Sequence, residues 1–377
     1  MDKKRSLVLS DDPEQIVEKF SFLKDRNDIA DLLDIDIQTL IYHVYRVPED
    51  KKYKDFEIPK RHGGTRKISA PVTALKIIQR KLNYVLSCLY SPNNYIHSYR
   101  HDRNVYSNAL QHAQSQLILN IDLKDFFPSI HIGRVKGLFR YQPFNCNELV
   151  AKTLAQICCY RSSLPQGAPT SPIISNMICE RMDKEISQLS RRFGYVYTRY
   201  ADDITLSTLD DNFSNNIVKT NENGQLEVGS ELEELINRNS FAINKEKLRL
   251  RNANERQIVT GLVVNKFPNV KREYVRKIRG MLHSWKTFGL EAAEKEYHNQ
   301  YSNKSLRNPQ RALPNYASVV KGKIEYLGMI RGKNDPIYLK LLRNLKEIDA
   351  VPLNAEVEAA LQTGQGLIIR RARHEST

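Results

Sequence analysis

Three acidic residues stand where acids are costly. Asp122 closes the apolar run Leu117-Ile118-Leu119-Asn120-Ile121, and Asp202 and Asp203 sit together between two alternating runs, residues 195–200 and 204–207. Like charges held close repel, and burying them is strongly unfavourable unless a cation neutralises them. Mg²⁺ suits such a set, because it takes hard oxygen ligands while keeping waters and substrate phosphates in its shell. Two such ions roughly 3.5–4 Å apart activate an attacking hydroxyl and stabilise a leaving pyrophosphate. An isolated Asp-Asp pair is more often a solvated turn, since Asp is a common turn residue. The flanks must decide between the two.

The elements that would position these acids follow from periodicity. Residues 1–50 read as short helices: Ser10-Asp11-Asp12-Pro13 offers an N-cap followed by Pro in the first turn, and Ile16, Phe20 and Leu23 recur at helical spacing. A second start is expected at Asp28, and a third segment carries Leu40, Ile41, Val44 and Tyr45. Residues 56–71 read as two strands around Gly63-Gly64, with Lys60, Arg61, Arg66 and Lys67 close to the turn. A helix over 74–90 precedes the buried strand 117–122. Helical patterning returns over 132–160 and 171–193, then a hairpin with Ala201-Asp202-Asp203 at its tip. Residues 210–229 are polar and turn-rich, which predicts a surface excursion. Strand-like pieces at 247–251 and 257–265 lead to a basic helical region, 271–343, and a basic tail.

Composition narrows the partners. The 377 residues are 41% hydrophobic and 27% charged, the balance of a folded chain. Lys plus Arg number 58 against 43 Asp plus Glu, so the net charge of +15 attracts phosphate polyanions. No apolar run approaches the roughly 20 residues that span a bilayer, and acids interrupt the N-terminus where a signal peptide would stay apolar. The five cysteines form no CxxC pair, which argues against a zinc ribbon or a disulfide framework. These features predict a cytoplasmic protein that avoids membranes.

Three boxes in order carry a resemblance. Tyr200-Ala201-Asp202-Asp203 between hydrophobic strands resembles the catalytic box of reverse transcriptases, and Ile121-Asp122-Leu123-Lys124-Asp125-Phe126-Phe127 resembles their first acidic motif. Leu164-Pro165-Gln166-Gly167-Ala168-Pro169 resembles the nucleotide-pocket loop between them. The match in order and spacing runs from 56 to 265. It implies catalysis by Asp122, Asp202 and Asp203, and metal ligation by Asp122, Leu123, Asp202 and Asp203, with two Mg²⁺ expected. It further implies that Arg66, with Lys60 or Arg61, meets the incoming triphosphate, since guanidinium grips phosphate bidentately. Asp125 would line the sugar pocket, and Gln166 and Gly167 would contact the dNTP. Phe127 stands where the family places an aromatic gate against the ribose 2′-position, with Phe126 beside it; both serve equally as core residues. Lys247 resembles the lysine of a later Asn-x-x-Lys motif, but Lys245 competes with it and a solvated surface lysine explains either.

Two further signatures are similar to those of retron reverse transcriptases: Asn108-Ala109-Leu110-Gln111-His112 and Val259-Thr260-Gly261. Asn108 and His112 lie one helical turn apart and are placed to share a partner. Membership implies an α+β, right-hand polymerase. Its expected parts are an N-terminal helical segment (1–50), fingers with part of the palm (51–115 and 132–180), and the palm with its catalytic strands (116–131 and 181–266). A basic helical thumb (267–345) and a C-terminal extension (346–377) follow. The family binds a structured noncoding RNA (msr-msd), primes from a guanosine 2′-hydroxyl and makes single-stranded msDNA. A separate effector protein, such as a nuclease or ATPase, acts with it in antiphage defence. RNA contacts are expected at both signatures and at Lys271, Arg272, Arg276 and Lys277, whereas Trp285 reads as a core residue. No RNase H carboxylate cluster is recognisable, so that trimming is expected from elsewhere. Two rival readings are an RNA- and msDNA-binding scaffold or antitoxin that holds an effector inactive, and a group II-like reverse transcriptase. Both retron signatures weigh against the latter, and the intact acids favour retained synthesis.

Overall fold

A computed structural model describes residues 9–60, 63–304 and 313–349. Local capping rules account for the first helices. In α1 (Pro13–Ser21) the Asp12 carboxylate accepts from Gln15 N at 2.9 Å while the Gln15 side chain accepts from Asp12 N, and Ile16 and Phe20 are buried. Helix α2 (Arg26–Leu32) begins earlier than the expected Asp28. Asp25 is its cap, and Asp28 closes the capping box from inside the first turn. Helix α3 (Ile37–Ile41) runs into a π-helical turn, Tyr42–Arg46, before α4 (Glu49–Lys52).

Strands β1 (Tyr53–Pro59) and β2 (Thr65–Pro71) form an antiparallel hairpin that sets Ile58 opposite Arg66. Helix α5 (Thr73–Leu89) buries Ile78, Leu82 and Leu86, and α6 (Val105–Gln111) precedes β3 (Leu117–Asp122). Helices α7 (Ile132–Arg140), α8 (Glu148–Cys158) and α9 (Ser171–Arg192) follow. The catalytic-box hairpin is β4 (Val196–Tyr200) and β5 (Asp203–Thr208). After it come β6 (Val218–Thr220), β7 (Leu226–Val228), α10 (Ser230–Arg238), β8 (Arg249–Asn252) and β9 (Ile258–Val259).

The central antiparallel sheet has the order β4-β5-β3-β8. Strand β3 is apolar because it is an inner strand, flanked by β5 and β8, with α6 and α9 packed on β4 at the sheet's edge. Its register with β5 runs from Leu117 opposite Thr208 to Asp122 opposite Asp203, so both acids emerge at one sheet end.

Two expectations need correction. Residues 210–229 are not merely a surface excursion: Phe213, Ile217, Val218 and Val228 are buried, and β6 pairs with β7 around a turn closed by the Asn221 side chain. The strand expected from Lys247 begins only at Arg249, because Lys245–Lys247 forms a 3₁₀ turn.

The chain divides after Thr260. The second unit contains β10 (Leu262–Val263), α11 (Arg272–Phe288), α12 (Leu290–Lys304), α13 (Tyr316–Arg331) and α14 (Pro336–Asp349). Its core includes Ile278, Leu282, Trp285, Val320, Ile324 and Leu341; Gly328 admits the Tyr338 ring where any Cβ would collide with it. The mixed helix-and-sheet architecture is that of the right-hand polymerase class. Among the described residues no helix is long and apolar enough to cross a membrane. Nearly all of the expected 346–377 extension lies outside the described residues.

Candidate active site

The acids meet by strand register. Asp122 ends β3, Asp203 starts β5 directly opposite, and Asp202 sits on the intervening turn, where its carbonyl accepts from Leu123 N at 3.0 Å. Ala201, just before the pair, is left-handed at φ 58°, which swings the chain around so tightly that the two aspartates crown the hairpin. Loss of water around Asp202, together with the Asp122 charge, raises its pKa above the ordinary carboxylate value. The same loss of water, then repulsion from Asp202 and Asp122, pushes Asp203 up to about 7.

Lys247 answers part of that charge. Its Nζ lies 2.8 Å from both Asp122 oxygens, and Asn244 Nδ2 reaches Oδ1 at 3.3 Å. The 3₁₀ turn brings this lysine to the acids, whereas Lys245 turns away to pair with Glu233 at 3.4 Å. Because the Lys247 side chain is 58% exposed, the pair stabilises the fold by no more than about 1 kcal/mol. Its significance is positional.

A cavity of about 520 Å³ opens over the acids. Its lining includes the cations Lys60, Arg66, Lys67 and Lys247, the acids Asp122, Asp125 and Asp202, and Phe127, Tyr99 and Gln166. Lys60 and Arg66 are exposed on the β1–β2 hairpin; Arg61 lies outside the described residues. Phe126 and Phe127 separate cleanly. Phe126 is buried, its ring stacked 5.8 Å from Phe241, while half-buried Phe127 faces Tyr99 with ring centroids 6.4 Å apart. Phe126 is thus mainly a core residue at the cavity's edge. Leu123 is buried, so only its carbonyl is chemically suited to a cation.

Gly167 has a different reason from the expected approach to nucleotide. A Cβ there would stand 2.9 Å from Ser69 O, and Ser69 N donates to Gln166 O at 2.9 Å. The glycine lets the pocket loop dock onto β2, joining the loop to the strand that carries Arg66.

Beneath the Asp202–Asp203 turn lies a buried ion pair that sequence reading missed. Asp183 of α9 accepts from Arg199 Nε and Nη2, both at 2.7 Å, and from Tyr197 Oη at 2.5 Å. Arg199 Nη1 donates to Asn176 Oδ1 at 3.2 Å and to Ala201 O at 3.0 Å. Burial opposes the Arg199 charge, but the Asp183 carboxylate outweighs it and raises the arginine pKa well above its usual value. The Ala201 carbonyl is thereby fixed next to Asp202 and Asp203.

The expected RNA contacts divide. Asn108 and His112 are interior, 1% and 0% exposed, so their side chains face protein rather than RNA. Nor do they share a partner: His112 Nδ1 pairs with Ser207 Oγ at 2.8 Å and Nε2 with Thr198 Oγ1 at 2.7 Å, pinning the end of α6 to the catalytic hairpin. Burial lowers the His112 pKa to about 3, which keeps the ring neutral. Val259 is also buried, and Thr260 Oγ1 donates to Val105 O at 3.0 Å, bracing the start of the same helix. Gly261 has φ 85°, a left-handed geometry that suits glycine. In the second unit, Lys271 caps α11 and is half-buried, while Arg272, Arg276, Lys277 and Arg279 are exposed. Trp285 is a core residue, 4% exposed and edge-on to Tyr316.

The donor set fits divalent cations: three carboxylates gathered at one sheet end, two of them held above their ordinary pKa by lost water and mutual repulsion. Among the described residues no three His, Cys, Asp or Glu side chains already stand in ion-holding geometry, and Asp122 is engaged by Lys247.

Comparison with known proteins places the chain in a family. Residues 58–330 match the family model described as reverse transcriptase (RNA-dependent DNA polymerase). The chain is 32% identical over 276 residues to the Retron Mx65 reverse transcriptase of Myxococcus xanthus, covering 68% of this chain and 62% of that one. It is 33% identical over 261 residues to the Retron Ec86 reverse transcriptase of Escherichia coli, covering 68% of this chain and 77% of the relative. The chain therefore spans less than two thirds of the Myxococcus relative. Among solved structures, a Candida albicans telomerase in complex with a telomeric RNA fragment matches with TM-score 0.40 at 12% identity, covering 82% of this chain and 66% of that one.

Proposed function

Because this chain belongs to the reverse transcriptase family, in its retron branch, we propose that it copies part of a structured noncoding RNA into single-stranded msDNA by nucleotidyl transfer. The observation that carries the reading is the register of Asp122 with Asp203, beside Asp202, under a cavity lined by Lys60, Arg66 and Lys67. Asp122, Asp202, Asp203 and the Leu123 carbonyl would hold two Mg²⁺. When bound, these supply the positive charge that activates the attacking hydroxyl and stabilises the leaving pyrophosphate.

The chain's own residues do the rest. Arg66 and Lys60 grip the triphosphate of the incoming dNTP, and Phe127 stands against the sugar. The primer oxygen, an RNA 2′-hydroxyl for the first nucleotide and a DNA 3′-hydroxyl thereafter, attacks the α-phosphorus. A P–O bond to the primer oxygen forms, the bond to pyrophosphate breaks, and the hydroxyl proton passes to solvent water. Lys247 is placed to release Asp122 to a cation and turn its ammonium toward the departing phosphates. The exposed α11 cations, Arg272, Arg276 and Lys277 with half-buried Lys271, are suited to the RNA backbone. A cytoplasmic setting and a defence role with a separate nuclease or ATPase effector complete the reading.

The test is to express the chain with its flanking locus and extract the nucleic acid that copurifies. We expect a discrete single-stranded DNA joined to RNA through a debranching-sensitive link, absent from Asp202→Asn/Asp203→Asn although the RNA still copurifies. RNA without DNA from the wild type would favour the binding scaffold, and substantial DNA from the double variant would refute the metal assignment.

A further inference from the structure

We propose that Tyr99 is a specificity-determining wall of the nucleotide pocket, holding the Phe127 ring where it excludes a ribose 2′-hydroxyl. The inference rests on the polymerase reading above and extends it to a residue that no motif marked.

Tyr99 is held in an unusual backbone state. Its φ of 59° lies in the left-handed region, which a bulky side chain seldom adopts. The chain on both sides leaves it little choice. His97 N donates to Arg199 O at 3.0 Å, and Ser98, fully buried, accepts at its carbonyl from Asn176 Nδ2 at 3.1 Å. After Tyr99, Arg100 Nη1 donates to Pro92 O at 2.8 Å and Asn93 O at 3.0 Å, and its Nε and Nη2 grip Asp102. Between these anchors the tyrosine is turned outward into the cavity above the acids, 48% exposed. A tyrosine recruited for core packing would be buried. Strain of this kind persists where the surroundings over-determine it, and it clusters at ligand sites.

What the ring touches gives it a task. The Phe127 ring has Phe126 at 5.2 Å between centroids and Tyr99 at 6.4 Å, and it also packs against the main apolar core. Phe126 is immobilised against Phe241. Removing the Tyr99 ring would take away the support on Phe127's cavity-facing side, leaving it held only by Phe126 and the core and with more room to turn away from the sugar. Asn176, which anchors Ser98, also accepts from Arg199, which holds the Ala201 carbonyl. One buried network therefore sets both the gate's support and the catalytic turn.

The test is single-nucleotide incorporation on a primed RNA template with Mg²⁺, comparing each dNTP with its ribonucleotide. Tyr99→Gly and Tyr99→Asn remove the ring while tolerating a positive φ, so the backbone is spared. Both variants should lose about tenfold in discrimination, read as the ratio of dNTP to ribonucleotide kcat/KM and therefore independent of any common loss of rate. Tyr99→Phe should keep wild-type discrimination. Gly and Asn variants that discriminate as the wild type does would overturn this inference alone. A wild-type chain that incorporates no nucleotide would overturn the polymerase reading and this inference with it.

Discussion

Replacing Asp183 by Asn should both destabilise the protein and slow synthesis, and the two effects can be separated. Arg199 and Asp183 are fully buried. The guanidinium makes hydrogen bonds to both Asp183 oxygens, to Asn176 and to Ala201 O. Without the carboxylate, a buried charge loses its counter-ion, which costs about 3–5 kcal/mol. At about 2–4 °C per kcal/mol for a domain of this size, the melting temperature should fall by roughly 6–20 °C. The triple variant Asp183→Leu/Arg199→Met/Tyr197→Phe removes the charges and the hydroxyl together, and apolar replacement of a buried pair is often near neutral. Its melting temperature should therefore recover most of the loss. Synthesis should not recover, because Ala201 O has lost its donor and left-handed Ala201 is free to relax, carrying Asp202 and Asp203 with it. Misplacement of reacting groups by about 1 Å can reduce the rate a hundredfold, so a loss in kcat of at least about tenfold is expected. Calorimetry with single-turnover incorporation measures both quantities. An Asp183→Asn variant melting within about 2 °C of wild type, or a triple variant synthesising at the wild-type rate, would refute the positioning role.

Two predictions concern charge. Asp203, raised to about 7, keeps a proton in the folded state that the unfolded chain sheds near its ordinary value of 3.8, so its contribution to stability falls as pH rises between these values and levels off above about 7. In chelator, Asp203→Asn should therefore be more stable than wild type at pH 8, by about 1 kcal/mol after allowance for the residue's exposure, and gain little at pH 4.5; equal melting curves at pH 8 would contradict the shift. On α11, Arg272→Gln/Arg276→Gln/Lys277→Gln should weaken RNA binding and flatten the log Kd against log salt slope by roughly 2, at about 0.7 per phosphate contact. An unchanged slope would remove this face from the RNA interface.

Much of the site was legible in the linear order of residues. An acid at the end of an apolar run, two acids between alternating runs and a Pro-Gly loop between them are local patterns, and local patterns also announced α5, α9, β3 and the β4–β5 hairpin. The reading slipped in two ways, one local and one distant. Asp25 rather than Asp28 caps α2, a shift that the two nearby acids left open. The polar stretch 210–229 conceals Phe213, which packs edge-on against Tyr195, and Ile217, which joins the same apolar core.

What the sequence by itself determined is the chemistry: which carboxylates, cations and aromatics stand in which order, and hence the family. Tertiary structure alone decided direction and burial. Phe126 and Phe127 are adjacent and chemically identical, yet one packs on Phe241 and the other faces Tyr99. Lys245 and Lys247 differ only in where a 3₁₀ turn points them. Asn108 and His112 resemble recognition residues until the fold closes over them and makes His112 a tie between α6 and the catalytic hairpin. Arg199 and Asp183 stand far enough apart in the chain that no local pattern pairs them. Their meeting is enforced by desolvation, since a charge buried in the protein interior must find its opposite there.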